Sequence, residues 1–332
     1  MNDHPHHPFT SRPLTRRQLL RAARTGALGA LLSAFPTHAD ERLPACHLQA
    51  DYQPLEQFGQ LAGTPDPVRL LRAFTLKDEH LVLTLDPDSL TTAIHPREAV
   101  TLLDAPPDNQ THSRHARALA RQLAPPHPLV NAGMRRATHP VAGFCLTIDL
   151  CPAPKPMEQR LFEALLAHDL PRPVPVAIAV SGGWIRRHEK AFHWLGARHA
   201  EGALSITWIN HSHTHFYAPG RPYPDNFLLA RGSDPLCEVL ALEWLLIRQG
   251  VTPPPYFRFP GLVSSPALLE TVSRLGLIAI GCDTILADGD RIRPGGIVLI
   301  HGNGNEARGV ERLLEYLKNT PKPQLVPLSE LF

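Results

Sequence analysis

The chain has 332 residues, with 33 Lys and Arg against 31 Asp and Glu, for a net charge of +2. So balanced a charge gives no electrostatic footprint for nucleic acid, and no nucleic-acid partner is expected. The 35 prolines, with 43% hydrophobic residues, point to a globular chain of rigid loops rather than long helices.

The first residues read as a leader. Thr15-Arg16-Arg17-Gln18-Leu19-Leu20 carries twin arginines, an apolar run follows from Thr25 to Phe35, and Thr37-His38-Ala39 offers small residues for cleavage. This is the pattern of a twin-arginine export signal over residues 1–39, with the export machinery as partner and a periplasmic or secreted destination. The run is much shorter than the roughly 20 apolar residues a membrane span needs, so no stable membrane anchor is expected. Leu43-Pro44-Ala45-Cys46 faintly resembles a lipidation box, but Asp40, Glu41 and Arg42 separate it from the apolar run. The cysteines are five in number, without a Cys-x-x-Cys pair. No disulfide framework is expected, and Cys145 and Cys282 read as small core residues.

Residues 40–140 give mixed signals and no function. Residues 79–85 alternate like a strand, 98–103 suggest another, 105–115 read as loop, and His115 to Leu123 reads as a short helix stopped by Pro125-Pro126. From 141 onward apolar runs alternate with helical segments. Strands are expected at Phe144–Leu150, Val174–Ser181, Leu204–Asn210, Tyr256–Phe259, Leu277–Gly281 and Ile297–His301. Helices are expected at Met157–His168, Arg186–Arg198, Leu236–Gln249, Pro266–Leu275 and Ala307–Lys318. Buried, non-alternating strands interleaved with helices predict an α/β fold, a parallel sheet or (β/α) barrel. No Gly-rich phosphate loop follows the first strand, which disfavours a nucleotide site.

In a (β/α) barrel the chemistry sits at the carboxyl ends of the strands. There this sequence places Asp149, His211, Arg258, Asp283 and His301. His211 and His215 share one face if the chain turns helical, a sound geometry for one divalent metal. His301 precedes an open Gly-Asn-Gly turn and suits a proton donor. Arg258 and Asp283 are candidates to pair, with the arginine orienting the base. Trp184 and Trp208 read either as sugar-stacking platforms or as core, and Asn303 and Asn305 either as substrate contacts or as turn formers.

These residues resemble the polysaccharide deacetylase family over roughly 141–332. Leu146-Thr147-Ile148-Asp149 is similar to its first motif, and His211-Ser212-His213-Thr214-His215 to its His-(Ser/Thr)-x-x-His motif. Arg258-Phe259-Pro260-Gly261, Asp283 and Leu299-Ile300-His301 are similar to its later motifs, and Leu325 to Leu331 to its last strand. The resemblance implies a distorted (β/α) barrel behind a small mixed N-terminal region. It also implies a divalent metal, zinc above all, on His211, His215 and Asp149, with Asp149, His301, Arg258 and Asp283 as catalytic residues. The implied activity is removal of an acyl group, N-acetyl above all, from an envelope carbohydrate. One departure stands out: the family's second aspartate is Leu150 here. The third ligand is then Asp149 itself, or it comes from Cys151 or His213, since a thiolate with imidazoles is a reasonable zinc set. A carbohydrate-binding protein that has lost turnover, and a hydrolase of non-sugar carbon–nitrogen bonds, are the rival readings.

Overall fold

The computed structural model describes residues 43–107 and 110–332, so the leader expected over 1–39 lies outside the described residues. After a short extended segment, five strands form an antiparallel sheet in the order β4-β3-β2-β1-β5. They are β1 (Gln53–Leu61), β2 (Pro67–Leu76), β3 (Glu79–Leu85), β4 (Thr92–Pro96) and β5 (Val100–Leu102). The β2–β3 hairpin turns on Lys77 and Asp78 alone, with φ of 51° and 66°. A two-residue loop with positive φ at both positions matches the twist of the strands it joins. Only β3 and β5 were expected, the latter within a longer run over 98–103; β1, β2 and β4 were not, and β1 is mostly exposed and does not alternate. Helix α1 (Arg114–Leu123) follows, its first turn capped by the Ser113 hydroxyl accepting from the Ala116 amide.

The larger sheet is parallel and seven-stranded, in the order β10-β9-β8-β7-β6-β12-β11. Its strands are β6 (Cys145–Leu150), β7 (Val174–Val180), β8 (Leu204–Asn210), β9 (Tyr256–Phe257), β10 (Ile278–Ala279), β11 (Thr284–Ile285) and β12 (Ile297–His301). Between them run α2 (Gln159–Ala167), α3 (Gly182–Arg187), α4 (Glu189–Ala200), α5 (Pro235–Arg248) and α6 (Pro266–Arg274), and α7 (Ala307–Asn319) closes the series. The helix expected over Arg186–Arg198 is two helices that meet at His188. The sheet curls into a distorted (β/α) barrel, and the segment around Met134 bridges its open side. The Met134 amide donates to Ala279 O at the β10 edge, and the Ile297 amide at the start of β12 donates to Arg135 O. Residues before 141 therefore contribute to the barrel wall.

Alternation along the strands divides the core into two layers. Leu146, Ile148, Leu150, Ile178, Val180, Val298 and Ile300 face outward and pack under the helices. Cys145, Ala177, Ala179, Ile209, Ile297 and Leu299 face inward, small enough to fill a narrow interior. Thr147 and Asp149 share that inward face by register.

Two expectations are corrected here. Cys46 and Cys237 form a disulfide across a sequence separation of 191, whereas no disulfide framework was expected. The pairing joins distant segments, so local spacing carried no signal for it. Cys145, Cys151 and Cys282 are free and buried. The expected last strand contributes one parallel bridge, Leu325 to Phe144, before the chain winds into a 3-10 turn over Leu328–Leu331. Among the described residues no helix is long and apolar enough to cross a membrane.

Candidate metal centre

Three side chains converge beyond the carboxyl ends of β6 and β8. One ligand-capable atom each from Cys151, His211 and His215 lies within 4.8 Å of the other two, and all three residues are buried. Cys151 arrives by strand register. Asp149 points inward, Leu150 outward into the helix-facing core, and Cys151 inward again. Leu150 is thus turned away from the site, and the thiol two residues after Asp149 stands beside the histidines.

His211 and His215 come together without a helix. The chain leaves β8 as an irregular loop with Ser212 at φ 66° and His215 at φ 50°. The expected helical turn is corrected by this backbone. Left-handed conformations at two non-glycine residues cost on the order of 1–3 kcal/mol each and persist where surrounding bonds fix them. The Ser212 amide donates to Asn210 Oδ1 at 3.0 Å, and Gly182 and Gly183 at the start of α3 donate to the carbonyls of Ser212 and His213. As a result the His211 and His215 Nε2 atoms stand 3.2 Å apart. His211 Nδ1 bonds the Arg258 carbonyl at 2.9 Å, which leaves Nε2 to face Cys151 Sγ at 3.5 Å. A carbonyl partner on Nδ1 sets tautomer and ring orientation, as it does for metal-bound imidazoles. His213 is not in the cluster. Its Nδ1 lies against Gly182, where any Cβ would sit 2.6 Å away. Burial, helped by the Arg186 charge, pushes its pKa down to about 4.

Burial alone would raise the Cys151 pKa, but the His215 and His211 imidazoles outweigh it and hold the thiol well below its usual range. His211 is affected in reverse: burial opposes its protonated form, yet the charges of Asp149 and Cys151 raise its pKa overall. The cluster thus favours a thiolate, the form that binds metal.

Asp149 lies outside the three-residue set. Its Oδ1 accepts from Arg258 Nη1 at 2.6 Å, and its Oδ2 is 3.7 Å from His211 Nε2. The structure therefore places Cys151, rather than Asp149, with the two histidines, because the guanidinium engages the carboxylate. Arg258 is fully buried, and its other bonds run to Thr147 Oγ1 at 2.8 Å, Ile280 O at 3.3 Å and Gly281 O at 3.0 Å. That network fixes the orientation of the carboxylate.

His301 ends β12 beside β6, in register with Asp149. Its Nδ1 meets Glu306 Oε2 at 2.8 Å. Burial disfavours its protonated form, but the bond and charge of Cys151 and the Glu306 bond raise its pKa well above the ordinary imidazole value. Its side chain keeps 21% exposure, so solvent reaches it. Glu306 was not singled out in the sequence; a carboxylate five residues past a strand-end histidine is its only signal.

Asp283 departs from expectation. It pairs with Arg136 Nη1 at 3.0 Å and not with Arg258, which is already engaged by Asp149 and three backbone or hydroxyl oxygens. Arg136 lies in the wall-closing segment, which no sequence signal placed there. The tryptophans are core: Trp184 is fully buried with its indole N–H on Pro156 O, and Trp208 packs against Phe192 at 5.0 Å between centroids. Asn303 is buried and its amide donates to Cys151 O, a clamp on the backbone of that cysteine.

No family model matches the chain. Several solved structures are similar to it. One is a family 4 carbohydrate esterase from Bacillus anthracis, at 19% identity over 60% of this chain and 87% of that one, with a TM-score of 0.44. A second is Bacillus subtilis PdaA, a family 4 carbohydrate esterase, at 16% identity over 66% and 89%, with a TM-score of 0.46. A third is BA3943, a CE4 family pseudoenzyme from Bacillus anthracis, at 18% identity over 61% and 69%, with a TM-score of 0.43.

Proposed function

We propose that this chain is a metal-dependent hydrolase that removes an acyl group, N-acetyl above all, from an envelope carbohydrate. The observation that supports it is the arrangement of two polar pairs around one donor cluster. Asp149 with Arg258 reaches it through His211, and His301 with Glu306 ends the neighbouring strand in register with Asp149.

The donor set fits a borderline-soft divalent ion. One thiolate and two imidazoles match the three-protein-ligand sets of catalytic zinc, which keep a further position for water or substrate. Bound there, zinc would lower the pKa of water and polarise an acyl carbonyl. Asp149, oriented by the Arg258 guanidinium, is placed to accept the proton of the attacking water. His301 is placed to hand a proton to the departing amine or alkoxide, with Glu306 orienting its ring. A binder without turnover has no need of both pairs, which favours the enzyme over the rival reading.

An exported setting belongs to the same proposal. The twin arginines motivate it, and a disulfide between Cys46 and Cys237 accords with an oxidising compartment.

The test is acetate release from N-acetylated glycan oligomers by the zinc-loaded protein. Asp149→Asn and His301→Ala should each lose roughly 10²–10⁴-fold in rate while zinc stays bound. Undiminished turnover in either variant, or no release from any oligomer by the wild type, would overturn the reading.

A further inference from the structure

The loop that carries His211 and His215 is held from outside the site by one buried carboxylate. Glu238, in the first turn of α5, accepts from the Thr214 amide at 2.8 Å and from the Thr214 hydroxyl. Thr214 lies directly before His215, whose left-handed backbone needs external restraint. Without the Glu238 bonds, the Thr214 amide would lose its partner at the point where the loop turns His215 toward His211.

Glu238 in turn sits on a helix end with little packed beneath it. A cleft of about 250 Å3 opens there, with Pro44, Cys46, Thr214, Phe216, Phe227 and Glu238 on its walls. The first turn of a helix has unpaired amides and frays unless it is capped or tied. Asp234 supplies the cap, accepting from the Cys237 amide at 3.0 Å. The tie is covalent: Cys237, the residue before Glu238, is bonded to Cys46 on the extended segment across the cleft.

Resting on the reading of Cys151, His211 and His215 as a metal centre, we infer that Glu238 is a positioning residue for the metal loop and that the Cys46–Cys237 disulfide holds it in place. Metal affinity then depends on the state of that disulfide. A water-soluble phosphine reduces it by attack at the half-buried Cys46 sulfur. The S–S bond breaks, water delivers its oxygen to phosphorus, and phosphine oxide and two cysteine thiols result. The thiols no longer tie α5 to the 43–46 segment, and Glu238 is free to move with the fraying turn.

The experiment is a zinc competition titration against a chromophoric chelator. It uses the wild type, Glu238→Gln, Thr214→Val, the two combined, and Cys46→Ser with Cys237→Ser. Each single change should weaken zinc binding roughly 10- to 100-fold, the range for lost partners of metal ligands. Combined, Glu238→Gln and Thr214→Val should do no more than the stronger of the two, because both break one contact. The double serine variant should also bind zinc more weakly, and if it does not fold, phosphine treatment of the folded wild type takes its place. Circular dichroism should stay unchanged in Glu238→Gln, while its cobalt(II) absorption spectrum shifts, which a purely structural role would not produce. Glu238→Gln with wild-type affinity, or effects of Glu238 and Thr214 that simply add, would overturn the positioning role. Unchanged affinity after loss of the disulfide would overturn its part. A wild type that binds no zinc would instead sink the metal centre itself.

Discussion

At Leu150 and Cys151 the alternation of a single strand decides the chemistry. Leu150 is fully buried among outward-facing aliphatic side chains, and Cys151 stands beside the histidines. An aspartate at 150 would therefore enter a hydrocarbon layer and not the site. Leu150→Asp should lower stability by about 3–5 kcal/mol without gain in zinc affinity, read from urea denaturation and zinc titration together. Tighter zinc binding in that variant would contradict the register. The sequence exposed Asp149, His211, Arg258 and His301 because each follows a strand whose apolar run is plain to read. It left Cys151 as one alternative among three, since a cysteine beside apolar residues reads equally well as core. Glu306 and Glu238 lay in segments with no periodicity that pointed at the site. Asp283 pairs with Arg136 and not with the expected Arg258, and that partner stayed hidden because Arg136 comes from a stretch that shows no strand pattern.

Among the elements, long strands and amphipathic helices were legible, and turns were not. β8 and β12 begin and end where their apolar runs do. β9 and β10 shrink to two residues each, because their pairing gives way to loops that bond side chains such as Arg258 and Gln122. In the antiparallel sheet β1 hid because a mostly exposed strand lacks a buried face to mark its period. Helix α1 offers a separate test. His115 on it is buried and bonds Gly276 O through Nε2 at 2.9 Å. Burial, then the Arg69 charge, push its pKa down to about 4, against the opposing effect of that bond. The folded value lies below the unfolded one of about 6.5, so between the two the unfolded chain takes up a proton that the folded chain refuses. The contribution of His115 is whole above about pH 6.5, falls as the pH drops toward 4, and amounts to about 3 kcal/mol. His115→Gln should remove that part of the slope in denaturation curves compared between pH 7 and 4.5. An unaltered slope would mean that His115 titrates normally in the folded chain.

Across the molecule, the antiparallel sheet is bound to the barrel by a buried ion pair. Arg72 on β2 meets Glu243 on α5 at 2.6 Å and 2.8 Å, and the Tyr52 hydroxyl joins the same carboxylate at 3.0 Å. Both charged side chains are out of solvent. Removing one partner strands the other, so Arg72→Met should cost about 3–5 kcal/mol in chemical denaturation. Arg72→Met combined with Glu243→Leu should recover most of that loss, since a buried pair gains little over well-packed apolar residues. A double variant as unstable as the single one would show that the pair does more than hold charge. Through α5 this joint and the disulfide both reach the helix that carries Glu238, which gives residues 43–107 a part in bracing the site.

The most direct test is cobalt(II) substitution of the wild type and of Cys151→Ser. Cobalt bound by Cys151, His211 and His215 should load to about one ion per chain and show thiolate-to-cobalt charge-transfer absorption. In Cys151→Ser that absorption should vanish and cobalt affinity should fall. A wild type that takes up cobalt without the thiolate band, or a serine variant with unchanged affinity, would place the metal elsewhere and contradict the site.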